Sequence, residues 1–166
     1  MDVEVVACGT GTAEQELRRL VAELVGTDAS QVRVGRACGR CGSADHGRPV
    51  VVAPRDSGVH VSTGRAGDLA LVAATRVGPV GVDVEGTSAG PGADLVAWTR
   101  TEALVKADGR GLPVLDEDPP PTWDGYRVVR LDLGPRHVAA LAVRADEEPR
   151  VHLERRGHDG SGGSAV

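Results

Sequence analysis

Two helical stretches, each standing ahead of a series of short strand-like runs, restrict the fold of this chain more than any other feature. Residues 13–25, AEQELRRLVAELV, place Leu17, Leu20, Val21, Leu24 and Val25 at i, i+3, i+4, i+7 and i+8. That is one face of an amphipathic helix, with Thr12 or Thr10 as its cap and Gly26 as its stop. Residues 94–109, DLVAWTRTEALVKADG, are helical by composition and stop at Gly109. Between the helices, QVRV (31–34), PVVVAP (49–54), GVHVSTG (58–64), DLALVAATR (68–76) and PVGVDVE (79–85) read as strands. Gly67-Asp68 and Gly78-Pro79 supply turns, so the last three runs are expected to form a meander. After the second helix, DEDPPPTWDG (116–125) reads as a rigid loop, YRVVRLDL (126–133) and RHVAALAVRA (136–145) as two strands joined through Gly134-Pro135, and VHLERR (151–156) as an edge strand.

The order helix, strands, helix, strands predicts an α+β fold of two similar α+β halves related by a pseudo-twofold. The expected division is an N-terminal half at 1–85, a short flexible linker at 86–93, a C-terminal half at 94–156 and a low-complexity, disordered tail at 157–166. A site at the junction is expected, because pockets favour such seams.

The 166 residues carry a formal net charge of −5, which argues against a general nucleic-acid binder while leaving room for an arginine-lined pocket that takes a phosphorylated ligand. No apolar run reaches the roughly 18–20 residues of a membrane span. The start, MDVEVVACGTGTAEQ, lacks the charged and apolar blocks of a signal peptide, and three cysteines are no secreted disulfide framework, so a soluble cytoplasmic protein is expected. Phe, Ile and Asn are absent and only one of the 19 Lys and Arg residues is lysine, as in a genome biased toward GC-rich codons. The exception is Lys106. Lysine is a compact, tunable point charge where arginine is a fixed fork, so its single use points to a specific role.

Lys106 lies close to three carboxylates in the sequence. In GVDVE (81–85), Asp83 and Glu85 are two apart in a strand and share a face. Parallel carboxylates repel unless a cation lies between them, and hard oxygen ligands suit magnesium. Glu102 and Lys106 are four apart on one face of the second helix. Each pattern alone is common on surfaces. If the helix crosses the strand end, they become three carboxylates and one lysine, an arrangement suited to handling phosphoryl or pyrophosphate groups.

GVDVE followed by W-x-x-x-E-A-x-x-K-A-x-G-x-G-L, over residues 81–112, resembles the signature of the 4′-phosphopantetheinyl transferases of the two-half type, and the resemblance extends over about residues 12–145. It implies transfer of the phosphopantetheine arm of coenzyme A to a serine of an acyl or peptidyl carrier protein, releasing adenosine 3′,5′-bisphosphate, as in fatty-acid, polyketide or nonribosomal peptide biosynthesis. It further implies that Asp83, Glu85 and Glu102 ligate Mg2+, that Glu102 is the general base, directly or through a water, and that Lys106 balances pyrophosphate charge and donates a proton to the leaving group. HGRP (46–49) resembles the family's GKP element and puts Arg48 near the CoA nucleotide. HVSTG (60–64) resembles its S-H-S/T segment and puts Ser62 and Thr63 at the 3′-phosphate end.

The chain departs from that pattern at four places. Thr63 stands where the family has a histidine, and Thr101 where lysine is usual. The basic region ahead of the first helix has no counterpart. Only residues 86–97 separate Glu85 from Trp98, where the family has a longer helix and loop that seat the carrier. These losses concern substrate grip. Arg36, Arg40, Arg48 or Arg65 could compensate through the bidentate guanidinium, and a second copy or another protein could complete the surface. The alternative is a non-catalytic or repurposed member of the fold that binds CoA, a carrier or a partner protein.

Outside the quartet, Cys38-x-x-Cys41 with His46 has part of a zinc-knuckle spacing, but Cys8 is far away and only three ligands lie together. A reduced, partly buried cysteine pair is the favoured reading. Trp98 is expected to anchor its helix in the core and Trp123 to pack in the proline-rich loop.

Overall fold

The computed structural model describes residues 1–87 and 94–157. Most of the expected 86–93 linker and all but the first residue of the expected 157–166 tail lie outside the described residues. The described chain is α+β, with strands β1 (Asp2–Gly9), β2 (Arg33–Ala37), β3 (Arg48–Ala53), β4 (His60–Ala66), β5 (Leu69–Thr75), β6 (Val80–Gly86), β7 (Tyr126–Leu131), β8 (His137–Arg144) and β9 (Arg150–Arg155). Its two α-helices are α1 (Ala13–Val25) and α2 (Leu95–Asp108).

The strands form three sheets: a four-stranded sheet in the order β4-β5-β1-β9, a hairpin β2-β3, and a three-stranded sheet in the order β6-β8-β7. The two larger sheets pack face to face. Alternation sorts their residues: Val3, Val5, Ala7, Leu71 and Ala73 meet Val80, Val82, Val84, Leu141 and Val143 in a shared core. The opposite faces receive the helices. Leu17, Leu20 and Val21 of α1 cover Val6, Cys8, Ala70 and Val72, and Ala103, Leu104 and Ala107 of α2 cover Ala140 and Ala142. The layers therefore run helix, sheet, sheet, helix.

Both helices begin and stop at residues visible in the sequence. Gly26 closes α1 at φ 71° and Gly109 closes α2 at φ 85°, left-handed conformations that favour glycine. Asp94 caps α2, its carboxylate accepting the Ala97 N–H at 3.0 Å. Thr12 occupies the N-cap position of α1 without capping it; its hydroxyl turns back and donates to the Gly9 carbonyl.

The structure differs from the expected strand order in two ways. β1 was not expected, and it lies inside the four-stranded sheet, antiparallel to β5 and parallel to β9. The meander stops at β5. β6 pairs with β8, and the Gly78-Pro79 turn carries the chain from one sheet to the other. A Cβ on Gly78 would lie 2.4 Å from the Arg144 carbonyl oxygen, so this crossing depends on glycine. Trp98 also departs from expectation: it is 42 % exposed, because α2 buries Thr99, Ala103, Leu104, Val105 and Ala107, a face of smaller residues. Trp123 packs as expected, edge-on to Tyr126 with ring centroids 6.1 Å apart.

The contact that positions the site is α2 on β6. Gly81 points at the helix, and a Cβ there would lie 2.0 Å from the Ala103 carbonyl oxygen and 2.6 Å from the Ala107 nitrogen. Gly81→Ala is therefore expected to lower stability by about 3 kcal/mol, at the upper end of overpacking costs. Gly11→Ala, where a Cβ meets nothing within 4 Å, serves as the control. Urea denaturation of both variants measures the difference, and equal stabilities would show that the helix is not seated against Gly81.

Candidate active site

Because Val80, Val82 and Val84 face the core, Gly81, Asp83 and Glu85 face α2. Strand parity thus delivers both carboxylates to the helix. Glu102 and Lys106, one turn apart on α2, meet them there. One carboxylate oxygen from each of Asp83, Glu85 and Glu102 lies within 4.8 Å of the others. The Lys106 ammonium donates to Asp83 Oδ1 at 2.6 Å and to the Val82 carbonyl at 3.2 Å, and lies 3.7 Å from Glu102 Oε2. All four residues of the expected quartet therefore converge.

Asp83 is the buried member, with 3 % of its side chain exposed against 19 % for Glu102 and 31 % for Lys106. Its Oδ2 has no hydrogen-bond partner among the described residues. Burial pushes the Asp83 carboxyl up to about 6; the Lys106 ammonium opposes the rise and the Glu102 carboxylate adds to it. An orphaned carboxylate oxygen in an all-oxygen donor set, with three carboxylates against one ammonium, fits a hard divalent cation of the Mg2+ class. Asp83, Glu85 and Glu102 are the residues that would hold it.

A cavity of about 500 Å³ lies beside this cluster and is lined by two of its members, Glu102 and Lys106, with Asp83 and Glu85 outside its lining. Glu102 and Lys106 line it at the α2 side, Ser62 and Thr63 at the β4 side, and Arg36, Arg40, His46 and Arg48 come from the β2–β3 hairpin and its loop. Arg48, Ser62 and Thr63, expected at the binding site, therefore share one cavity with the catalytic candidates. Ser62 is buried, its Oγ accepting the Val82 N–H at 3.0 Å; a hydroxyl that accepts keeps its own O–H to donate. That bond ties β4 to β6, and Gly64 completes the approach, since a Cβ there would lie 3.0 Å from the Val82 carbonyl oxygen. Arg65, considered with the other arginines, lies outside this cavity and lines a neighbouring one with Arg36 and Thr63.

Arg110 also lines the cavity and was not singled out from the sequence. Its signal was its place between Gly109 and Gly111 just past the helix end, where a guanidinium returns over the last turn; it pairs with Asp108 and Glu117, each at 2.7 Å. No protein-family model matches the chain, and no curated protein matches it.

The Asp83 carboxyl sets an expected pH dependence in the metal-free protein. Between the ordinary value of 3.8 and about 6, the folded state holds a proton that the unfolded chain has lost. The stability this provides is full below that window and is lost as pH rises through it. Thermal melts from about pH 4 to about pH 7, with chelator present, should show wild type losing stability relative to Asp83→Asn as pH rises. A difference constant across the window would mean that Asp83 is not the buried acid described here.

Proposed function

We propose that this protein is a magnesium-dependent 4′-phosphopantetheinyl transferase that moves the phosphopantetheine arm of coenzyme A onto a serine of an acyl or peptidyl carrier protein. The observation that carries the reading is the convergence of Asp83, Glu85, Glu102 and Lys106, two of which, Glu102 and Lys106, line a cavity shared with Arg36, Arg40 and Arg48. Arginines beside a carboxylate cluster suit a pyrophosphate: the arginines meet its charge directly, and the carboxylates would meet it through a cation. The two-half architecture belongs to the same proposal. β1-α1-β4-β5 and β6-α2-β7-β8 each place a helix on one face of antiparallel strands, with the strand preceding the helix beside the last strand of its unit. The cavity draws its lining from both units.

In this reading the carrier serine gives its proton to Glu102, directly or through a water, and its oxygen forms a bond to the phosphorus that bears the pantetheine arm. The bond from that phosphorus to the bridging oxygen breaks, and adenosine 3′,5′-bisphosphate leaves with the electron pair. Lys106, oriented by Asp83 and the Val82 carbonyl, faces the leaving phosphate and offsets its charge. Mg2+, when bound, supplies Lewis-acid charge at the pyrophosphate oxygens. Arg48, Ser62 and Thr63 grip the nucleotide end.

Intact-mass spectrometry of apo carrier proteins incubated with the protein, CoA and Mg2+ tests the proposal. One phosphopantetheine should be gained on a carrier, with kcat/KM falling at least about a hundredfold in Asp83→Ala and in Lys106→Ala. Arg48→Ala should act mainly through KM for CoA. No gain on any carrier, with CoA binding also undetectable by calorimetry, would sink the reading. CoA binding without transfer would favour the non-catalytic alternative.

A further inference from the structure

The loop between β2 and β3 holds a second convergence that the transferase chemistry does not use. Cys38, Cys41 and His46 each present one ligand atom, all within 4.8 Å of one another, and Cys41 Sγ lies 3.2 Å from His46 Nε2. A tetrahedral ion with bonds of about 2.0–2.3 Å needs ligand atoms roughly 3.3–3.8 Å apart, a spacing these values bracket. All three cysteines of the chain are free, and Cys8 is buried in the core beneath α1, so it is no fourth partner.

The backbone is built for the same purpose. The Cys41 and Arg40 N–H groups point at Cys38 Sγ, Gly42 donates to the Cys38 carbonyl at 2.9 Å, and Cys38 donates to the Ser43 carbonyl at 2.9 Å. Gly42 turns at φ 74°. This is the tight turn by which a C-x-x-C-G segment presents two thiolates to one ion. The other end of the loop closes on Gly47 at φ 100°, where a Cβ would lie 2.3 Å from the Ala37 carbonyl oxygen and 2.6 Å from the Cys38 nitrogen. Only glycine allows the two loop ends to touch, and that contact brings His46 back to the cysteines.

The loop CGRCGSADHG has almost no apolar side chain to bury, so core packing cannot offset the entropy of ordering it. We propose that Cys38, Cys41 and His46 bind one zinc ion, with the fourth position open to solvent beside the cavity, and that this ion fixes the loop that carries Arg40 and leads into Arg48 at the start of β3. Two thiolates and a neutral imidazole neutralise Zn2+ and suit it better than magnesium. Cys38 and His46 both line the cavity, so metal binding and rim geometry are coupled through them. The assignment stands independently of the transferase reading.

The test uses tag-free, reduced, full-length protein and Co2+ as a spectroscopic probe, followed by Zn2+ competition against a chromophoric chelator. Expected are one thiolate-ligated ion per chain, a thiolate-to-cobalt charge-transfer band with tetrahedral visible bands, and loss of both on adding zinc. Cys41→Ser and His46→Asn should each weaken zinc at least about tenfold, whereas Asp83→Asn leaves the band unchanged. Hydrogen exchange in residues 38–47 should slow when zinc is added to chelator-treated protein. The proposal is overturned by absence of the band in reduced protein, by a zinc affinity unchanged in Cys41→Ser or His46→Asn, by a band lost in Asp83→Asn, or by exchange in the loop that ignores zinc.

Discussion

The close seating of α2 on β6 is the constraint from which the rest of the site follows. Gly81 removes the one Cβ that would hold the helix off the strand, and Ala103, Ala107, Ala140 and Ala142 keep the neighbouring contacts shallow. With the helix this near, Lys106 reaches past the strand edge to the Val82 carbonyl and Asp83. A longer interlayer distance, of the kind leucine would impose, would leave the lysine in solvent and the two carboxylates of β6 facing nothing. The strand is also held from its other side, where Ser62 and Gly64 bring β4 against β6. The quartet therefore sits where three backbone segments are pinned together by small residues, which gives its charges a fixed geometry.

That geometry is electrostatically unfinished. Three carboxylates face one ammonium, and the most buried carboxylate has an oxygen without a protein partner among the described residues. A buried ion pair seldom adds much net stability, since desolvation offsets the Coulomb gain. The raised Asp83 value says the same: burial outweighs the attraction of Lys106. Such an arrangement is a poor choice for holding a fold together and a good one for receiving a cation. Arg40 on the hairpin loop, with Arg36 in β2 and Arg48 at the start of β3, is the complementary half, lining the neighbouring cavity with positive charge.

Much of this was legible in the sequence because the signals were local. The period of Leu17, Leu20, Val21 and Leu24 gave α1, the glycines at 26 and 109 gave both helix ends, and strand parity put Asp83 and Glu85 on one face. The failures were non-local. β1 is buried on both faces, Val3, Val5 and Ala7 against one layer and Val6 and Cys8 against another, so it lacks the alternation that marks a half-buried strand. Gly78-Pro79 looks like any hairpin turn, and nothing near it tells whether the next strand pairs back or crosses to a second sheet. Trp98 was assigned to the core on its size, yet the face α2 buries is fixed by the space over Gly81, which admits alanine and excludes indole. The cysteine pair was visible, but its closure with His46 depends on Gly47 touching Ala37, a contact no spacing rule encodes.

The single lysine connects composition to this geometry. Its ammonium meets the Val82 carbonyl, Asp83 Oδ1 and Glu102 Oε2 at 3.2, 2.6 and 3.7 Å. An ammonium carries three donors in a tetrahedral array, so it can divide itself among acceptors on different elements. A guanidinium is planar and rigid, suited to one carboxylate or phosphate taken side-on. The chain uses arginine on the hairpin side of the cavity, where a fork can take an anion, and lysine beside the three carboxylates, where a compact cation shares its charge. Against a background in which arginine fills every other Lys or Arg position, the one lysine stands where a single cation meets acceptors on both α2 and β6.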